Sequence, residues 1–253
     1  MKLSGRTILI TGGTSGIGLE LAKLLLERGN TVLVTGRDQR KLDRTKLQLP
    51  GIRTFLSDAG KPDQVEDLYR NVIAAYPALD TLVNNAGIMR NLDLFRPRAL
   101  TDVTQELEVN LCGPVRMVQA FLPHLKSRKH SLIVNLSSGL AFVPFPLSPV
   151  YSAAKAGVRA YTRCLRVQLK GSSVTVVELA PPAVETPLLG EFENEMKGQK
   201  GMKASVLAKK AVAGIEAGKM EVRPGLSNVL YLLSRFAPGV IFGQMAKMVK
   251  PAH

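Results

Sequence analysis

The stretch "TGGTSGIG", residues 11–18, decides how this chain folds. It follows "RTILI", residues 6–10, an apolar run of the length of a buried strand. It leads into "SGIGLELAKLLLERG", residues 15–29, whose apolar residues recur at helical spacing and stop at Gly29. A strand, a glycine turn and a helix N-terminus together make an anion site, because free N–H groups and the helix dipole point at an incoming phosphate. Gly12 and Gly16 let the backbone bend and approach a ligand, and Gly18 lets the helix pack closely on the strand. Thr14 and Ser15 add hydroxyl donors, and Ile17 completes the turn. The spacing is Gly12-x-x-x-Gly16-x-Gly18 rather than Gly-x-Gly-x-x-Gly, so a purely structural turn stays open at this point.

The same alternation continues down the chain. Strand-like runs occupy residues 30–37, 51–58, 78–87, 131–139 and 173–182, and helical patterns occupy 38–49, 61–77, 101–126 and 152–171. Strands that are apolar throughout imply a sheet covered on both faces. Strands alternating with helices through short connections imply parallel pairing and right-handed crossovers. The expected fold is a Rossmann-type, doubly wound α/β sandwich with a central seven-stranded parallel sheet, six of whose strands are read from these runs and residues 6–10. It forms one domain over residues 1–253, with a dinucleotide-binding and catalytic core over 1–186 and a substrate lid and C-terminal region over 187–253.

Composition narrows the classes. The chain has 253 residues, 45% of them apolar, which suits one large core. The two cysteines, Cys112 and Cys164, sit in helix-like stretches and read as buried free thiols rather than a disulfide framework. The N-terminus enters a strand at once without an apolar signal region, and no run is long enough to span a bilayer. A reducing, cytoplasmic compartment is expected. The formal charge is +14, and residues 196–253 hold ten Lys or Arg against two acids. Such a face attracts polyanions or anionic lipid. No zinc-ligand pattern or aromatic RNA motif accompanies it, so no nucleic-acid partner and no metal are expected.

The end of the second strand speaks to the dinucleotide. In NAD sites an acid there binds the ribose hydroxyls. Here "VLVTGRDQR" puts Arg37 at that end, and a guanidinium offers a forked donor to a 2′-phosphate. The neighbouring Asp38 opens the next helix and fits an N-cap. NADP(H) is the expected cofactor.

With "NNAG" at 84–87, a Ser ahead of "YSAAK" at 151–155, and a proline turn ending in "TP" at 186–187, the sequence resembles the short-chain dehydrogenase/reductase family. The match covers residues 5 to about 190, with the four motifs in the family's order. Within the family it looks like the subgroup of oxidoreductases associated with teichoic-acid D-alanylation genes, on the strength of "NNAGIMRNLDL", "SSGLAFVPFPLSPVY" and "ELAPPAVETPLL". The resemblance implies a catalytic set of Asn110, Ser138, Tyr151 and Lys155. Tyr151 and Lys155 lie four apart on one helix face. An ammonium beside a phenol favours the phenolate, so Lys155 is expected to bring Tyr151 toward the operating pH as general acid/base. Ser138, at a strand end, would hold the substrate oxygen; its neighbour Ser137 points to the opposite side if the strand continues. Asn110 would support a water-linked relay to Lys155. By the same carry-over Asp58 would receive the adenine amino group, although a turn or cap explains it too. Asn85, Ala86 and Gly87 would pass the adenosine ribose, Lys155 and Tyr151 would meet the nicotinamide ribose, and Pro181, Val184 and Thr186 the carboxamide. The family usually has Pro-Gly where this chain has Pro181-Pro182, which stiffens the turn.

The substrate is less legible. "GLAFVPFPLSPV", residues 139–150, is uncharged and is expected to wall the cleft, which suggests an apolar carbonyl or secondary alcohol. Residues 187–203 read as a lid over the cleft. Arg90 is a candidate for an acidic substrate group. Residues 224–249 carry only Arg235 and Lys247 as charges and suit a cover for the cleft, a subunit contact or peripheral membrane contact. A homodimer or homotetramer is expected. Two other functions stay open: an NADP(H)-binding sensor or scaffold without turnover, and a membrane-surface-associated, lipid-modifying reductase.

Overall fold

The computed structural model describes residues 1–93, 95–192 and 200–248. Its first strand, β1 (Thr7–Ile10), is buried along its whole length. Ile8 and Ile10 join one core and Leu9 the other, as the two-residue period of a strand requires. The glycine turn then starts α1 (Gly16–Glu27). There follow β2 (Thr31–Gly36), α2 (Gln39–Gln48), β3 (Arg53–Leu56), α3 (Pro62–Ala75) and β4 (Thr81–Asn84). Next come α4 (Leu100–Leu107), a π-helical turn (Glu108–Cys112), α5 (Gly113–Ser127), β5 (Ser131–Leu136), α6 (Pro149–Gln168) and β6 (Val174–Leu179). Beyond them lie β7 (Val184–Glu185), β8 (Met202–Lys203), α7 (Ala204–Glu216), β9 (Glu221–Val222), α8 (Leu226–Phe236) and α9 (Pro238–Ala246).

Seven strands form one sheet in the order β3-β2-β1-β4-β5-β6-β9, and every pair is parallel. The chain order reverses between β1 and β4, which is the crevice where open α/β sheets hold ligands. Leu21, Leu25, Ala211 and Ile215, from α1 and α7, cover one face of the sheet. Leu68 and Val72 of α3, Phe121 and Leu125 of α5, and Leu165 of α6 cover the other. The chain is a single-domain, doubly wound sandwich.

Several local expectations change. The seventh strand, β9, has only two residues, which pair with Glu178 and Leu179; no periodicity marks so short a strand. α7 and β9, within residues 204–222, complete one face of the core and one edge of the sheet. β3 is half exposed because it forms the sheet edge, with Leu56 open to solvent. The long helix expected over 101–126 is one path interrupted by the π-helical turn at Asn110. The cysteines are free, but neither is buried: Cys112 is half-buried and Cys164 is exposed on α6. Of the lid segment, residues 187–192 form a 3-10 turn, whereas 193–199 lie outside the described residues. Among the described residues no helix is long and apolar enough to cross a membrane, and no cluster of His, Cys, Asp or Glu could hold a metal ion.

Candidate active site

Parallel strands bring their C-terminal ends to one edge of the sheet, and the candidate residues gather there. Gly12 and Gly16 have φ of 67° and 55°, the left-handed region that a side chain would strain. The turn they make is tied to its neighbours. The Gly13 N–H donates to the Thr35 carbonyl at 3.0 Å. The Asn85 side-chain amide donates to the carbonyls of Thr11 and Gly12 at 2.8 and 2.9 Å. Thr11 Oγ1 accepts from the N–H groups of both Asn85 and Ala86 at 3.0 Å. The glycine turn and "NNAG" are therefore one bonded unit across the β1–β4 crevice.

That unit keeps an anion cradle open. Ser15 is the N-cap of α1, its hydroxyl makes no capping bond, and no acid occupies the first turn. A Cβ added to Gly18 would fall 2.4 Å from the Gly12 carbonyl oxygen, so helix and turn meet at backbone distance. Ile17 is half-buried against the core. Thr14 leans on Gly36, the last residue of β2, and the exposed Arg37 follows directly. Asp38 caps α2 by accepting from the Lys41 N–H at 3.1 Å, so its carboxylate is committed to the helix. Asp58 accepts from the Gly60 N–H at 2.9 Å and closes the turn into α3.

The remaining residues converge from four elements. Ser138 follows β5; its Oγ accepts from the Leu140 N–H at 3.1 Å, and its hydroxyl lowers the proton affinity of the Tyr151 phenol. The adjacent Ser137 turns away and donates to Glu178 at 2.6 Å. Tyr151 and Lys155 lie on α6 and are both buried. Lys155 Nζ donates to the Leu136 carbonyl at 3.0 Å and lies 5.6 Å from the centroid of the Tyr151 ring. Asn110 is wholly buried in the π-helical turn, a feature common at functional sites. Its amide pairs with the Ile88 backbone through bonds of 2.9 and 2.7 Å. A Cβ on Gly87 would lie 2.9 Å from Asn110 Oδ1 and 3.7 Å from Lys155 Nζ, so these three meet. Pro181 accepts from the Gly139 N–H at 2.8 Å. Val184 opens β7, and Thr186 lies against Gly16, 2.9 Å from where a Cβ would stand. The stiff Pro181-Pro182 turn thus still carries the chain across the glycine turn.

Comparison with known proteins fits this geometry. The family model described as short chain dehydrogenase matches residues 6–197. The chain belongs to the short-chain dehydrogenase family. It is 40% identical over 225 residues to the "Uncharacterized oxidoreductase DltE" of Bacillus subtilis strain 168, covering 88% of this chain and 89% of that one. A short-chain dehydrogenase from Burkholderia cenocepacia J2315, solved in complex with NADP, superposes with a TM-score of 0.82 at 25% identity, over 99% of this chain and 100% of that one. A 3-ketoacyl-(acyl-carrier-protein) reductase from Brucella melitensis, complexed with NADH, gives 0.77 at 28% identity, over 89% and 94%. The protein is thus an oxidoreductase of the short-chain dehydrogenase family, which binds nicotinamide cofactors.

Two expectations for this short-chain dehydrogenase are corrected by the fold. Burial pushes the Tyr151 phenol up to about 12, opposed by the bond from Ser138 and reinforced by the negative charge of Glu106. Burial also pushes the Lys155 ammonium down to about 8. Desolvation therefore dominates at both groups, and the phenol is not brought down toward neutrality. Arg90 does not face a substrate group: its guanidinium bonds Asp102 and Gln105 on α4.

Several contributors lay outside the sequence motifs. Met89, Phe145, Tyr151 and Phe192 form a buried apolar cluster, with Leu140, Leu147 and Met245 packed against it. Part of the expected apolar wall is there, joined by side chains from α9 and the 187–192 turn. Glu106 accepts from the Arg90 N–H at 2.9 Å, and its spacing one turn before Asn110 was the available signal for it. Thr11 had a signal too, as the hydroxyl that directly precedes the glycine turn. Met245 had none.

Proposed function

We propose that this chain is an NADP(H)-dependent reductase of an apolar carbonyl, working reversibly on the corresponding secondary alcohol, with Tyr151 as general acid/base. The single observation that carries the reading is the convergence of Ser138, buried Tyr151 and buried Lys155 beside the glycine cradle. The cradle suits a dinucleotide: Gly12, Gly16, Gly18 and Gly87 leave backbone where a Cβ would collide, and the α1 N-terminus carries no acid. Thr14, Ser15 and Ile17 would line the pyrophosphate, Asp58 the adenine, Asn85 and Ala86 the adenosine ribose, and Pro181, Val184 and Thr186 the carboxamide. Among the described residues Arg37 makes no ion pair, which supports a role for it at a 2′-phosphate.

The nicotinamide, when bound, supplies the hydride. The chain's own residues handle the oxygen. As charge grows on a carbonyl oxygen, the hydroxyls of Ser138 and Tyr151 would donate to it beside the apolar cluster, whose low dielectric strengthens such bonds. Tyr151 passes its proton to that oxygen. A phenol held neutral by burial is the form that gives its proton to the oxygen in reduction. Lys155, still largely protonated near neutrality, balances the phenolate left behind and would hold the nicotinamide ribose. Asn110 fixes Ile88 and so the path of "NNAG" beside Lys155.

The test is a panel of apolar ketones and aldehydes with NADPH, followed by nicotinamide absorbance, with Tyr151→Phe as control. The variant is expected to fold and bind NADPH but to lose about a hundredfold or more in turnover. Unimpaired turnover in Tyr151→Phe would end the proposed chemistry. NADPH binding with no turnover on any carbonyl would favour the sensor reading.

A further inference from the structure

Helix α8 is apolar on two opposite sides. Its inner side is accounted for: Ser227 and Leu230 are buried, and Leu230 packs against Gly139, next to Ser138. Its outer side carries Leu226, Val229, Leu233 and Phe236, all exposed and spaced to form one stripe along the helix. Val240 and Phe242 extend the exposed apolar surface onto α9. Phe236 is 82% exposed and Val240 68%, so among the described residues nothing covers them. A surface helix ordinarily presents polar residues there.

The stripe is held on a firm base. Tyr231, on the inner side, packs edge to face on Phe142 at 5.3 Å, and Arg223 stacks on its ring at 3.8 Å. Arg159 lies 5.5 Å from the same ring. On α9, Met245 reaches the cluster around Tyr151, so the two helices connect the outer surface to the catalytic residues.

We propose that the outer face of α8 and α9 docks on an anionic lipid bilayer. Charge selects the occupant. From residue 224 to the end of the sequence there is no Asp or Glu, while Arg235 on α8, which also bonds the Tyr231 hydroxyl at 3.0 Å, and Lys247 at the end of α9 are exposed, in a chain of formal charge +14. A second copy would bring the same acid-free segment to the contact, so the cations of both copies would meet with no acid from residues 224–253 to neutralise them. A layer of acidic headgroups neutralises them and takes up the apolar stripe at the same time. The helices, of 11 and 9 residues, are too short to cross a bilayer and suit its interface. Docking of this kind brings the cleft to the lipid surface, and it does not depend on the chemistry assigned to Tyr151.

The experiment is flotation of the full chain with vesicles of phosphatidylcholine alone or with about one quarter phosphatidylglycerol, at low and high salt. Co-flotation with the anionic vesicles is expected, falling at least tenfold on neutral vesicles or in high salt. The pair Leu233→Asp and Phe236→Asp is expected to abolish it with an unchanged circular-dichroism melt. Val240→Asp, on the other helix, is expected to weaken it independently. Failure to float with anionic vesicles overturns the proposal. So does equal flotation of wild type and the stripe variants, which would leave only non-specific charge attraction. Sedimentation velocity showing an oligomer that the stripe variants dissociate, without flotation, would assign the face to a second copy instead.

Discussion

The Lys155 ammonium lies 5.6 Å from the centroid of the Tyr151 ring, and both side chains are buried on one face of α6. Burial drives their proton affinities apart, lowering the Lys155 pKa to about 8 and raising that of Tyr151 to about 12. For Lys155 the folded value is below the unfolded one, so between about pH 8 and 10.5 the unfolded chain binds more protons and stability rises with pH. For Tyr151 the folded value is the higher, so stability is lost as pH rises from about 10 through 12. Lys155→Met is therefore expected to be the more stable protein near pH 7, by on the order of 2–3 kcal/mol, with the gap closing toward pH 10. Thermal melts of the two proteins across that range check it; a gap that is constant with pH would mean that Lys155 is not desolvated in the fold.

Arg37→Ala tests the cofactor reading. Only NADPH carries a 2′-phosphate, and a lost charge-assisted hydrogen bond costs about 1.5–3 kcal/mol, or roughly tenfold to a hundredfold in binding. The variant is expected to weaken NADPH by that factor and NADH little. Because the chain has no Trp, NADPH's own fluorescence is a clean probe. Equal losses for both cofactors would make Arg37 structural.

Gly18→Ala tests the tie between the glycine turn and "NNAG". The new methyl would stand 2.4 Å from the Gly12 carbonyl oxygen and 2.5 Å from the Asn85 amide nitrogen. One of these backbone-linked groups must move, at a cost of about 1–3 kcal/mol, and NADPH binding is expected to fall with it. Gly243→Ala is the matched control. Nothing lies within 4 Å of its added Cβ, and a helical Gly→Ala change stabilises by up to about 1 kcal/mol. Urea unfolding of both variants gives the comparison, and a neutral Gly18→Ala would show that the turn yields freely.

Asn110→Ala removes both bonds to the Ile88 backbone at a fully buried position. Leaving that N–H and carbonyl unpaired costs about 2–4 kcal/mol in all. Loss of NADPH affinity is expected beyond the loss of stability, because Gly87 sits between Asn110 and Lys155. Asn110→Asp restores the acceptor for the Ile88 N–H but not the donor, so it is expected to fall between Ala and wild type in both urea unfolding and NADPH titration. Wild-type affinity in Asn110→Ala would separate the π-helical turn from the site.

How much of this was legible in the sequence depends on the range of the interaction. The glycine turn, the cap at Asp38, the paired spacing of Tyr151 and Lys155, and the strand–helix alternation are local, and six of the seven sheet strands could be placed from them. β9 could not, because a two-residue strand is defined only by the partner it pairs with.

What the residues determined by themselves is the kind of backbone each segment makes and the chemistry its side chains can offer: a turn that needs glycine, a strand apolar on both faces, a phenol one helical turn from an ammonium. Only the tertiary structure decided what that chemistry meets. It set Thr186 against Gly16, engaged Arg90 on α4, brought Glu106 and Met245 to bear on Tyr151, and left the outer side of α8 exposed among the described residues. It also reversed the expected effect on the phenol. The physical reason is that spacing along a chain fixes which groups are neighbours, whereas desolvation depends on every segment that closes around them.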